Sequence, residues 1–179
     1  LLIGTIPAII LGLLLETYME STFRSPIIVA SVLILGSVFF MFAEYVYINT
    51  PRTNEMSVLK GLKIGLFQVL ALIPGMSRSG ATISGAMLLG LSRIEAARFS
   101  FLLSIPIIAG AGSKKLLDLI VAGNSTPWTM LATGTFVSFI TSLFAIHFLL
   151  SFVKNHTLWP FIWYRIILAA FVLFVFFFN

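Results

Sequence analysis

Pro74-Gly75-Met76-Ser77-Arg78-Ser79-Gly80-Ala81-Thr82 separates two short apolar runs, and no single helix is expected to pass through it. Pro74 disfavours the helical conformation of the residue before it. Gly75 suits a positive φ after a helix end, and Ser79 suits the N-cap of the helix that follows. Ile64–Ile73 on one side and Ala81–Leu91 on the other are apolar, but each is too short to cross a bilayer, which takes about 20 residues of helix. The spacing predicts two half-helices joined by a polar tip, a re-entrant hairpin over residues 58–91. Such backbone is tolerated at membrane depth where it is buried in protein or lines a wet cavity.

Outward from the hairpin lie full-length apolar runs. Pro26–Ile48, Trp128–Val153 and Leu158–Phe178 are long enough to span, Ala96–Gly112 is a shorter candidate, and Leu1–Leu15 resembles the remainder of another span. Trp159, Trp163 and Tyr164, and at another helix end Tyr45 and Tyr47, are placed for the membrane interface. With the hairpin entering and leaving on one side, that side carries six basic residues: Arg52, Lys60, Lys63, Arg93, Arg98 and Lys154. The other side carries three: Arg24, Lys114 and Lys115. A crossing at 58–91 gives a more even split, so the positive-inside rule favours the hairpin. Gly61 with Gly65, Ala81 with Gly85, and Ala86 with Gly90 are spaced to let the hairpin arms pack closely.

Composition agrees. The 179 residues are 59% hydrophobic and 9% charged, against about 25% charged in soluble domains, and the mean hydropathy is +1.09. The expected fold is an all-α polytopic membrane helix bundle, with residues 1–179 forming one integral membrane domain. The chain starts within an apolar run without Met and reads as part of a longer protein. It has no Cys, which excludes disulfides and thiolate metal sites. The net charge of +5 comes from basic residues scattered singly between apolar runs, which suits loops and headgroup contacts and not nucleic acid.

The polar tip carries the chemistry. Arg78 is costly at membrane depth, by about 2.5–3.5 kcal/mol on insertion scales, unless it meets an anion. Its planar fork matches phosphate oxygens. Ser77, Ser79 and Thr82 supply hydroxyls, Gly75 and Gly80 let a ligand approach the backbone, and the second half-helix points free N–H groups at the same place. An arginine snorkelling from an ordinary turn is the plain alternative. The short apolar arms and the full Pro-Gly-x-Ser-Arg-Ser-Gly-x-Thr string weigh against it. Arg165, about two turns into the last span, suits either a substrate-side contact or an interface anchor. Glu44 suits either a buried arginine partner or snorkelling. His147 is expected to pack in its span and His156 to lie at the interface. Glu16 and Glu20 have an ExxxE spacing but sit in a connecting stretch.

The segment PGMSRSGATISGAM, Pro74–Met87, resembles the PGxSRSxxT signature of undecaprenyl-diphosphate phosphatases, the bacitracin-resistance membrane phosphatases. Pro74, Gly75, Ser77, Arg78, Ser79 and Thr82 occupy every fixed position. Gln68, the run LGLSRIEAARFSFLLSIPI from Leu89 to Ile107, and the late Trp159-Pro160 and Tyr164-Arg165 agree with it. The resemblance implies an inverted-repeat fold with two re-entrant tips meeting near mid-membrane, in a multi-pass protein of the bacterial cell membrane. It implies hydrolysis of undecaprenyl diphosphate to undecaprenyl phosphate, which recycles the lipid carrier for peptidoglycan. On that basis Arg78 clamps the diphosphate, Ser77, Ser79 and Thr82 bind or polarise its oxygens, and Pro74, Gly75, Gly80 and Arg165 contribute to substrate binding. A divalent cation, Mg²⁺ or Ca²⁺, is expected to assist, with ligands unknown. The implied partners are a polyprenyl diphosphate lipid and the bilayer, with room for a homodimer. The family's second motif, with two glutamates, a Ser pair and Gly-His, is absent from this chain, so these 179 residues alone are expected to be inactive. The alternative is a transporter or flippase of a phosphorylated polyprenyl lipid, since broken helices and inverted repeats also build transporters.

Overall fold

Residues 1–22, 25–53, 55–121 and 127–178 are described by the structure, a computed structural model, with backbone alone from Glu16 to Thr22. Described residues form seven α-helices and no strand: α1 (Leu2–Thr22), α2 (Pro26–Asn49), α3 (Val58–Val69), α4 (Arg78–Leu88), α5 (Arg93–Val121), α6 (Trp128–Asn155) and α7 (Trp159–Phe178). Four of them, α2, α5, α6 and α7, are long and apolar enough to cross a membrane. Large apolar side chains such as Leu35, Phe144 and Phe171 are exposed on them, as expected where the surrounding solvent is lipid. The single Glu16 and Glu20 side chains and Arg24 lie outside what is described.

The break between α3 and α4 falls where the sequence places it. Ser57 caps α3, its hydroxyl accepting from the Lys60 N–H at 3.1 Å. A 3₁₀ turn at Leu70–Leu72 closes α3, and Ile73 is extended (ψ 119°) ahead of Pro74. The two ends of the hairpin lie on one side. The Thr53 N–H, just before α3, donates to the Gly90 carbonyl just after α4 at 3.2 Å. Gly90 turns the chain there with φ +89°. Arg52, Lys60 and Arg93 therefore share one end of the bundle, as the charge count predicts. The second hairpin that an inverted repeat requires is not among the described residues.

Two of the glycines, Gly61 and Gly65, pack differently from expectation. They do not meet the other hairpin arm; they meet α1. A Cβ on Gly65 would lie 1.9 Å from the Gly4 carbonyl oxygen, and one on Gly4 would lie 2.7 Å from that of Gly61. Only backbone-to-backbone contact fits there. The hairpin arms do join through Gly85, as its spacing with Ala81 leads one to expect, and it receives the Phe67 ring. A glycine against a ring fills the gap with more contact area than two small residues would.

Two helices also outrun their expected limits. α5 continues through Pro106 to Val121, not stopping at Gly112. A proline removes one hydrogen bond, and neighbouring helices sustain such a helix in lipid. Lys114, Lys115 and Asp118 are exposed on its final turns. α1 continues past Leu15 to Thr22, with Pro7 inside it.

Candidate functional site

The hairpin tip is a strained turn held by its neighbours. Gly75 has φ +97°, and a Cβ there would lie 2.7 Å from the Val29 carbonyl oxygen. The Met76 N–H returns to the Ile73 carbonyl at 3.1 Å. Ser77 follows with φ 69° and ψ 114°, the single positive φ outside glycine among the described residues. Such a conformation costs about 1–3 kcal/mol and persists only where its surroundings hold it. Ser77 is also the N-cap of α4: its hydroxyl accepts from the Gly80 N–H at 3.3 Å and its carbonyl from the Ala81 N–H at 3.0 Å. The sequence places the cap two residues later, at Ser79. The cap falls earlier because Ser77 already has the non-helical backbone that a cap needs, while Ser79 is inside the first turn. The amides of Arg78 and Ser79 remain for a ligand, at the positive end of the helix dipole.

A cavity of about 320 Å³ opens beside this turn. Ser77, Ser79 and Gly80 form its polar wall, Arg165 enters from α7, and Phe40, Leu149, Leu158, Phe161 and Tyr164 make most of the rest apolar. Arg165 is buried, which excludes the interface-anchor alternative. Its Nε donates to the Ser37 hydroxyl at 3.3 Å, and its Nη2 donates to the Gly75 carbonyl at 3.0 Å and to the Leu33 carbonyl at 3.3 Å. Those bonds leave Nη1 for the cavity. The guanidinium also lies 4.8 Å from the Phe40 ring centre, a distance suited to cation–π attraction. Gly36 makes room beneath it, since a Cβ there would come within 2.3 Å of Nη2 and displace the guanidinium.

Arg78 and Thr82 lie apart from this cavity. Arg78 is half-buried and reaches the Ser104 carbonyl of α5, with Nη1 at 3.5 Å. The Thr82 hydroxyl is fully buried and hydrogen-bonds the Arg78 carbonyl at 2.9 Å, the Ser79 carbonyl at 3.2 Å and the Ser100 hydroxyl. It is engaged within the protein and does not face the cavity with the serines, as the resemblance leads one to expect. Helical phase separates the two sets. Positions 78 and 82 share one face of α4 and meet α5, while 79, 80 and 83 turn toward α2 and α7. Pro74 shapes the tip without lining the cavity.

Glu44 resolves in favour of a partner. It is 1% exposed and bonded by Arg93, whose Nε lies 3.0 and 3.2 Å from the two carboxylate oxygens and whose Nη2 closes a still shorter contact. The Leu158 N–H also donates to it at 2.7 Å. Tyr47, expected at the interface, is buried between the Arg52 and Arg93 guanidinium groups, 3.6 and 4.0 Å from its ring centre. His147 is exposed on α6 and does not pack in the core, because α6 turns nearly all of its surface outward. His156 stacks on Phe152 at 4.4 Å at the end of α6. The residues that sequence reasoning missed are Gly36, Ser37 and Phe40. The only available signal was a small Gly-Ser pair inside an otherwise bulky span.

The fold and the loop define a polytopic helical membrane protein with a helical hairpin whose tip presents Ser77 and Ser79, together with Arg165 of α7, to an amphiphilic cavity. The family described as "Bacitracin resistance protein BacA" matches residues 1–171, and the chain belongs to it. It is 41% identical to an "Undecaprenyl-diphosphatase" of Lacticaseibacillus paracasei, over 98% of this chain and 67% of the relative. It is also 41% identical to proteins of that name from Enterococcus faecalis, over 97% of this chain and 64% of the relative, and from Chromohalobacter salexigens, over 96% and 65%. The chain thus spans about two thirds of the length of these relatives.

Proposed function

We propose that the protein hydrolyses a polyprenyl diphosphate, undecaprenyl diphosphate, to the monophosphate and inorganic phosphate in the bacterial cell membrane, and so recycles the lipid carrier for cell-wall synthesis. The observation that carries this reading is the cavity: one polar wall with an arginine, the remaining walls apolar. That is the shape of a lipid with a charged head. The matching family and the names of its relatives support the same chemistry.

In the reaction, the bond between the terminal phosphorus and the bridging oxygen breaks, and water supplies the oxygen that replaces it. Little covalent chemistry is asked of the protein in such a transfer; positioning and charge neutralisation dominate. Arg165 Nη1 and the first amides of α4 meet the diphosphate from the cavity. Arg78 supplies a second guanidinium from the α5 side of the same turn. Ser77 and Ser79 hydrogen-bond the phosphoryl oxygens, and Thr82 holds the turn against α5. The apolar walls receive the first isoprene units and exclude bulk water.

A divalent cation belongs to this proposal, but the described residues do not make its site. No group of three His, Asp or Glu stands together among the described residues, and the buried acid Glu44 is engaged by Arg93 and Leu158.

The test is phosphate release from undecaprenyl diphosphate by the full-length protein in nanodiscs. Release is expected, and Arg78→Ala is expected to abolish it. Movement of the intact diphosphate across the bilayer without release would establish the transporter alternative instead.

A further inference from the structure

Glu44 lies far from the loop in sequence and does not line the cavity, yet its contacts reach the cavity's frame. Its carboxylate takes the N–H of Leu158. The carbonyl of Leu158 then accepts from Phe161 at 3.0 Å and Ile162 at 3.2 Å, opening α7. Seven residues further along α7, Arg165 bonds Ser37 and the Leu33 carbonyl. Ser37 stands seven residues before Glu44 on α2. Two antiparallel helices are therefore joined by two polar rungs, Glu44 to Leu158 and Ser37 to Arg165, each separated by two turns or about 10 Å along its helix. The same register brings Leu33 to Ala169, which share one buried cluster.

Sliding α7 by one residue would move Arg165 by about 1.5 Å and rotate it by about 100°. Either change takes its guanidinium off the Gly75 carbonyl. Apolar packing of Ala30 and Leu33 against Ala169 favours this register at one end of the α2–α7 pair. The Glu44 rung sets it at the other. A carboxylate buried to 1% exposure cannot give up its partners without a large desolvation penalty. Arg93 anchors the rung to α5. Its N–H meets the Tyr47 hydroxyl at 3.4 Å, and its guanidinium lies over the Tyr47 ring.

We propose that Glu44 is a positioning residue for the diphosphate cavity: from its ion pair with Arg93 it caps α7 at Leu158 and so sets the register that brings Arg165 onto Gly75. This inference rests on the functional reading above.

The test uses the full-length protein in nanodiscs, with turnover counted per folded molecule. Glu44→Ala is expected to lower kcat by about tenfold, the scale of coupling between residues that act as a unit. Glu44→Gln keeps an oxygen for the Leu158 N–H and is expected to stay within about threefold of wild type. In an Arg165→Lys background, Glu44→Ala is expected to cost little more, since its effect runs through that side chain. Equal penalties in both backgrounds, or wild-type kcat for folded Glu44→Ala, would overturn the proposal. A second readout needs no activity. Cysteines at Leu33→Cys and Ala169→Cys are expected to cross-link readily, and more slowly once Glu44→Ala is added. An unchanged cross-linking rate would also overturn it. If the wild-type protein releases no phosphate, the functional reading fails, while the cross-link still decides whether Glu44 sets the register.

Discussion

Ser77 has two requirements that pull in opposite directions. Its positive φ is strained, while its hydroxyl caps α4 and faces the cavity. Glycine has no Cβ to strain, and replacing a serine cap by glycine loses only a few tenths of a kcal/mol. Ser77→Gly is therefore expected to raise stability by about 1 kcal/mol, read as a higher Tm in detergent. The same change removes a hydroxyl from the polar wall and is expected to lower phosphate release by about 10²-fold. Arg165→Lys belongs to the same scale. An ammonium carries its donors on one atom and cannot match the spread of Nε on Ser37 and Nη2 on the Gly75 and Leu33 carbonyls; a charged hydrogen bond lost there costs about 1.5–3 kcal/mol. Both a lower Tm and a loss of phosphate release of about 10²-fold are expected. The presence of these residues was legible in the sequence, but the division of labour was not. The string Ser77-Arg78-Ser79-Gly80-Ala81-Thr82 reads as one cluster. The 3.6-residue period of α4 sends Arg78 and Thr82 toward α5 and leaves Ser79 and Gly80 at the cavity.

Among the elements, α1 and α3 meet backbone to backbone, with no room for any side chain between Gly4 and Gly65. Gly65→Leu forces the backbones apart. Overpacking typically costs about 1–3 kcal/mol, and more is expected here because the obstruction is backbone. The measurement is the folded yield and Tm of the variant, and an unchanged Tm would show that α1 docks elsewhere. The small-residue spacing on α3 was visible in the sequence, but its partner was not. A glycine stripe fixes which face approaches another backbone, not whose backbone it is. The break between α3 and α4 was legible because proline and glycine act locally on φ and ψ. The length of α5 was not, because whether a helix survives Pro106 depends on what surrounds it.

Across the whole molecule, the hairpin brings the start of α3 and the end of α4 to one end of the bundle, together with the α6–α7 corner that Glu44 ties down. The 179 residues carry no Cys, so single cysteines report this arrangement cleanly once any others in the full-length protein are replaced. Lys60→Cys and His156→Cys are expected to react with a membrane-impermeant reagent from the same side, and Lys115→Cys from the opposite side. Labelling of Lys60→Cys and Arg98→Cys from opposite faces would mean that residues 58–91 cross. The four candidate spans and the orientation of the hairpin were readable from apolar length and from the six-to-three charge split, since the bilayer imposes both on the sequence directly.

By itself the sequence determined the class of solvent, the helical architecture, the break at Pro74-Gly75 and the clustering of arginine, serine and glycine at the tip. All of these follow from properties a residue carries with it: its hydropathy, its allowed backbone angles, its charge. Tertiary structure alone decided that Arg165 and Gly36-Ser37 close onto the tip, that Thr82 is engaged by Ser100, and that Glu44 pairs with Arg93 and Leu158. Those are choices of partner between residues up to 132 positions apart, and a partner is selected by packing across helices, which no local property encodes.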